Sequence, residues 1–98
     1  MIAHLKGQLA YKSPEYTIVD VNGVGYQVFT PLSTYYALPN LGQTVSLRVH
    51  TRVREDELKL FGFLTKEEQT IFQKLITINK VGPRLALGIL SGMSPADL

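Results

Sequence analysis

Two short stretches of this chain hold residue types at spacings that could do chemistry. The first is "RVREDELKL", residues 52–60, in which Glu55, Asp56 and Glu57 sit together between Arg54 and Lys59. Acids clustered at one point can keep a turn hydrated, or repel something negative such as a phosphate chain. The pair Glu55 and Asp56 could also offer oxygens to Mg²⁺, but neighbouring residues of a strand point to opposite faces, so sharing one ion needs a turn that folds them together. The second stretch is "NKVGPR", residues 79–84. A tight turn with Gly82 and Pro83 presents backbone N–H groups at the positive end of a following helix, which can hold a phosphate with little help from side chains. Gly82 allows close approach of a phosphodiester, Arg84 adds a charged contact, and Val81 can pin the turn between two helices. This is helix-hairpin-helix logic, a grip on DNA backbone that reads no sequence. A plain helical hairpin also favours Gly and Pro at its turn, and the spacing alone leaves both readings open.

The other chemical residues fall into no catalytic pattern. His4 and His50 are the only histidines and there is no cysteine, so no zinc site is assigned. No serine, histidine and acid are spaced for nucleophilic catalysis. "NGVGYQV" contains Gly-x-Gly without the third glycine of a dinucleotide fingerprint, and reads as turn chemistry. Arg48, His50, Arg52 and Arg54 alternate along one strand and could track a phosphate backbone. The competing reading is the solvated face of a half-buried strand. Five tyrosines, at 11, 16, 26, 35 and 36, could stack bases but equally suit core or interface positions. The expectation is a chain that catalyses nothing and carries no cofactor.

The elements that must position these residues are legible from periodicity. Ala3, Leu5 and Leu9 alternate with His4, Lys6 and Gln8, the period of a half-buried strand. Asn22-Gly23 between "EYTIVDV" and "VGYQVFT" is a strong hairpin signal, because both residues tolerate positive φ. "PLSTYYAL", bounded by Pro31 and Pro39, predicts a short helix or turn. Residues 44–54 alternate again, with Val45, Leu47, Val49, Thr51 and Val53 facing one way, and "LKLFGF" supplies a fifth strand. Five strands with one helical interruption predict a small closed or partly open barrel, commonest as the OB-fold.

After Phe63 the period becomes helical. Ile71, Phe72, Leu75 and Ile76 share one face, and Thr65 with Glu68 forms a capping box at the start. Pro83 suits the first turn of a second helix whose apolar side is Leu85, Leu87, Ile89 and Leu90. "SPADL" reads as a third helix start, with Ser94 as cap, Pro95 at the first position and Asp97 near the positive end. A capped helix with almost no body predicts a piece of a longer natural protein.

Composition sets outer bounds. The chain has 98 residues and a formal net charge of +2, with a pI near 9.0. That suits one small domain plus part of another, and a domain this size gains stability from self-assembly. The absence of cysteine fits a reducing, cytoplasmic setting. The start "MIAHLKGQLAYK" does not read as a signal peptide, and no apolar run approaches a membrane span.

The order of "MIAHLKGQL", "DVNGVGYQV", "VREDELKLFGF" and "KLITINKVGPRLALGILSGMSP" resembles the RuvA family, the Holliday-junction-binding subunits of the bacterial branch-migration machine. The resemblance covers essentially the whole chain. It implies an all-β OB-fold barrel over residues 1–63 at the centre of a homotetramer, then an α-helical helix-hairpin-helix segment over residues 64–98, α+β overall. It implies binding of four-way junction DNA in recombinational repair and the SOS response to DNA damage. It also implies partnership, through the intact protein, with the ATP-driven motor RuvB and the resolvase RuvC. By resemblance, Glu55 and Asp56 are the acidic pin at the junction centre. Asn79, Lys80, Val81, Gly82 and Arg84 belong to the first DNA-gripping hairpin. The family often has glycine where this chain has Lys80. If that position needs positive φ, Lys is costly there; with ordinary dihedrals it would add a phosphate contact. A second hairpin motif and the motor-binding domain are expected outside this chain. Two other readings stand beside this one: a general single-strand-binding OB module, and an oligomeric scaffold whose fragment binds no DNA of its own.

Overall fold

The computed structural model of the protein describes residues 1–92, so the expected third helix start at Ser94, Pro95 and Asp97 lies outside the described residues. The element order is β1 (His4–Lys12), β2 (Tyr16–Val21), β3 (Val24–Phe29), α1 (Leu32–Ala37), β4 (Thr44–Arg54), β5 (Glu57–Phe63), α2 (Lys66–Leu75) and α3 (Pro83–Gly92). The strands close a barrel in the order β1-β2-β3-β5-β4, with β4 returning to pair with β1. All pairs are antiparallel except β3 with β5, and α1 sits between β3 and β4. That is the OB arrangement predicted from the strand count.

Local chemistry explains the connections. Asn22 and Gly23 take φ of 53° and 91°, and Asp20 Oδ1 accepts a hydrogen bond from the Gly23 N–H at 2.8 Å. Both central residues in the left-handed region give a turn whose twist matches the flanking strands. Closure of the barrel depends on Gly62, where an added Cβ would collide with Val28 Cγ1 of β3. Inside the barrel, Leu5, Leu9, Val19, Val28, Val45, Leu47, Val49 and Leu60 form one continuous buried cluster.

The register of β4 with β5 sorts their residues by face. Val49↔Gly62 and Thr51↔Leu60 point inward, while Arg48↔Phe63, His50↔Phe61 and Arg52↔Lys59 point outward. Val53↔Leu58 continues the inner face, yet both are more than half exposed, at 59% and 58%. This corrects the expectation that Val53 is buried with the other apolar residues: the hairpin runs past the end of the barrel, so its last inward row has nothing to cover it. Ala3 is also exposed.

A second core joins the helices to the barrel. Phe61 and Phe63 of β5, Phe72 of α2, and Ala86 and Leu90 of α3 form a buried cluster. The buried face of α3 is Pro83, Ala86 and Leu90, with Leu87 packed beside it, a spacing of three and four. The expected face of Leu85, Leu87, Ile89 and Leu90 is therefore partly wrong. Leu85 is 53% exposed, because the small side chain of Ala86 is what lets α3 approach the barrel. Thr65 caps α2 as expected, its Oγ1 accepting from the Glu68 N–H at 3.2 Å.

Candidate nucleic-acid interface

The turn between α2 and α3 begins where α2 runs out. The Ile76 N–H still bonds Phe72 O at 3.1 Å, then Thr77 and Ile78 make shorter-range bonds to Lys74 O and Leu75 O, tightening the last turn. The Val81 N–H closes the loop onto Ile78 O at 3.0 Å, and Val81 packs against the second core, the pinning role expected of it. Asn79, Lys80, Gly82 and Arg84 are all exposed. Within α3, the first N–H with a partner in the turn is that of Ala86, bonded to Gly82 O at 3.0 Å. Among the described residues, the N–H groups of Gly82, Arg84 and Leu85 find none, as the start of a helix dictates. A Cβ on Gly82 would meet nothing within 4 Å. Its missing side chain therefore serves no internal packing and leaves the outer surface of the turn bare.

Lys80 resolves a question the sequence left open. Its φ is 71°, in the left-handed region, so the position does require the geometry that glycine adopts freely. Lys80 itself is exposed.

Arg84 projects from the first turn of α3 with its side chain 94% exposed, making one loose ion pair to Glu15 at 3.4 Å. An exposed pair of this kind contributes little to stability and exchanges readily for another anion.

The acids occupy the opposite extreme of the molecule's charge pattern. Arg54 pairs with Glu57 in the last row of the β4–β5 ladder, and Glu55 and Asp56 are the two residues of the turn beyond it. Neither takes positive φ. Both are exposed at the free end of a hairpin that overshoots the barrel. The turn thus separates them from the strand geometry that would aim them at opposite faces.

The outer face of β4 is mixed. Arg48 is exposed, as the solvated-face reading expects, and its Nε donates to Gln69 Oε1 at 2.9 Å, whereas His50 is half-buried and its ring meets Phe72 edge-on. Burial holds the His50 imidazole below its ordinary pKa. Arg52 is half-buried and Arg54 exposed. The tyrosines divide as well: Tyr26 and Tyr35 pack on the barrel core, Tyr36 is exposed, and Tyr11 stacks on Tyr16 at 5.4 Å.

A set of hydroxyl contacts that the sequence did not reveal fixes the helices on the barrel. Glu68, 5% exposed, accepts from Thr65 Oγ1 at 3.0 Å, from Thr34 Oγ1 at 3.3 Å and from Ser33 Oγ. Ser91 Oγ accepts from the Leu32 N–H at 3.0 Å and donates to Leu87 O. The short helix α1 is therefore tied to both α2 and α3. The signal available in sequence was only the Thr65–Glu68 spacing, which gives the cap and not the partner helix.

Residues 1–62 match the family model described as the RuvA N terminal domain. Over all 98 residues the chain is 56% identical to the Holliday junction branch migration complex subunit RuvA of Syntrophobacter fumaroxidans, covering 50% of that protein. It is 58% identical to the same-named subunit of Citrifermentans bemidjiense and 55% identical to that of Geobacter sulfurreducens, covering 49% of each. The chain spans about half the length of the curated relatives it matches.

Proposed function

The chain belongs to the RuvA N-terminal domain family, and from that membership we propose that it is a non-catalytic, structure-specific binder of four-way Holliday junction DNA. The observation that carries this reading is the separation of opposite tasks on one rigid body. A bare turn with free N–H groups and Arg84 suits a phosphate backbone, whereas the carboxylates of Glu55 and Asp56 at the hairpin tip repel one. A binder of plain duplex gains nothing from the second device. A binder of a junction does, because the acids discourage strands from crossing at the centre while the arms are held at the turns. Asn79, Lys80, Val81, Gly82 and Arg84 form the gripping turn in this reading, and its contacts are to backbone, independent of sequence.

The assembly we propose is a homotetramer with the barrel at its centre. The uncovered apolar row Val53 and Leu58, directly behind the acidic tip, supports this, since burial of such a pair against other copies would gather the tips around one axis. In the intact protein the tetramer works in the cytoplasm as the DNA-holding part of a branch-migration complex, with RuvB as ATP-driven motor and RuvC as resolvase. Among the described residues, no helix is long and apolar enough to cross a membrane.

A low-salt gel-shift comparison tests the reading. The chain is titrated onto a four-way junction, a duplex of the same arm sequence and a single strand. Tightest binding to the junction is expected. Equal affinity for single strand and junction favours a general single-strand binder, and no binding to any of them leaves a scaffold role.

A further inference from the structure

A groove of about 510 Å³ lies between the barrel and the start of α3. Its floor includes Phe29 and Phe61, and its rim carries Arg52, Lys59 and Arg84 with a single carboxylate, Glu15. Arg52 and Lys59 are direct cross-strand partners on the outer face of β4 and β5, and Arg84 reaches the same groove from the other domain. Lys59 Nζ lies 5.6 Å from the Phe29 ring centroid and 3.9 Å from Glu57 Oε1. Thr30 also lines the groove, its hydroxyl buried beneath the surface.

We propose that this groove holds the phosphodiester backbone of a DNA strand, so that Arg52 and Lys59 of the barrel grip the same run of backbone as Arg84 and the hairpin turn. The proposal rests on the junction-binding reading and adds a contact surface to it. The charge order along the β4–β5 hairpin gives the reason. The Arg52–Lys59 row is purely basic, the Arg54–Glu57 row is mixed, and the tip is purely acidic. Three residues of extended strand separate Arg52 from Glu55, roughly 10 Å at about 3.4 Å per residue. That is close to one screening length at physiological salt, so grip and repulsion act on neighbouring phosphates without cancelling each other. Two of the three cations form exposed ion pairs that a phosphate can replace, Lys59 with Glu57 and Arg84 with Glu15. The barrel thereby fixes where the strand turns toward the acidic tip, and the apolar floor excludes water beneath the contact.

The test compares wild type with Arg52→Gln plus Lys59→Gln, substitutions that keep long stems over the floor, in salt titrations on a four-way junction. Loss of two phosphate contacts flattens the log–log salt dependence by roughly 1.8, at about 0.9 each. Glu15→Gln should tighten binding, because Arg84 no longer has a competing anion. A second arm needs no variant: methylphosphonates replacing arm phosphates about 10 Å back from the crossover, away from the acidic tip, should weaken binding by wild-type protein. A double variant with wild-type affinity and slope, while Arg84→Ala weakens binding, overturns the groove and leaves the junction reading intact. Inorganic phosphate that shifts the Lys59 NMR signals without any change in DNA slope makes the groove a small-anion site and also overturns the proposal. Failure of wild type to bind any junction removes the underlying reading instead.

Discussion

The imidazole of His50, on the barrel, meets the ring of Phe72, on the first helix, edge-on with centroids 5.5 Å apart. Phe72 is fully buried and also stacks on Phe61 at 5.4 Å and Phe63 at 5.0 Å. One aromatic side chain thus joins the two halves of the molecule, and the geometry between the α2–α3 turn and the acidic tip depends on that seam. Phe72→Ala should cost about 3–5 kcal/mol of stability, as large aromatic truncations in cores do. Urea denaturation checks this; a loss below about 1 kcal/mol would mean the seam can be replaced by other packing.

His50 gives the seam a pH dependence. Burial lowers its pKa in the folded chain, so folding favours the neutral ring. Above the unfolded value of about 6.5 both states are neutral and this contribution is fully present. As pH falls below that value the unfolded chain takes up the proton more readily, and stability declines until the folded ring titrates too. The midpoint of thermal unfolding should therefore drop as pH falls below about 6.5, and His50→Gln should flatten that part of the profile. An identical slope in the variant assigns the pH dependence to other groups.

Glu68 should prove more important than a capping residue. Glu68→Ala removes the acceptor for Ser33, Thr34 and Thr65 together and is expected to cost about 3 kcal/mol, because a carboxylate hydrogen bond contributes more than a neutral one. Glu68→Gln keeps one carbonyl acceptor and should cost less. The distinguishing readout is Ser33→Ala combined with Thr34→Ala: if α1 is the bracket that fixes the helices on the barrel, that pair lowers junction affinity as well as stability. Unchanged affinity would confine the cluster to α2.

Lys80 separates folding from binding. Its φ of 71° is strained for a residue with a side chain, so Lys80→Gly should stabilise the chain by roughly 0.5–1 kcal/mol. The same change removes a cation from the proposed DNA-gripping turn and should flatten the salt dependence of DNA binding by about 0.9. Loss of stability on this substitution would show that the lysine side chain supports the turn.

Much of this was readable from local chemistry. Asn22-Gly23 specifies its own turn, Thr65 its own helix start, and Pro83 the first turn of α3, because each acts on residues beside it in sequence. The two candidate stretches were legible for the same reason: Glu55 and Asp56 lie in a turn, and the approach to Gly82 is open. What escaped the sequence depends on distant partners. His50 alternates like a solvent-facing residue, and only the later arrival of Phe72 covers it. Val53 alternates like a core residue, but the barrel ends before it. Leu85 outranks Ala86 in hydrophobicity, yet close approach of α3 to the barrel selects the smaller side chain. Arg52 and Lys59 become a pair only through the β4–β5 register.

The central claim is that the exposed acids supply structural selectivity at some cost in affinity. A carboxylate and a phosphate about 7 Å apart repel by only roughly 0.6 kcal/mol in water, and several-fold more at an effective dielectric near 20. Repeated over the four copies of the proposed homotetramer, that repulsion would penalise duplex crossing the centre more than an open junction. The most direct measurement is the junction-to-duplex affinity ratio of wild type and of Glu55→Gln plus Asp56→Asn, at low and moderate salt. The account predicts that the double variant binds plain duplex more tightly and loses discrimination, most strongly at low salt where the wild-type repulsion is least screened. A ratio equal to wild type at both salt concentrations would contradict it and reduce the tip to a hydrated turn.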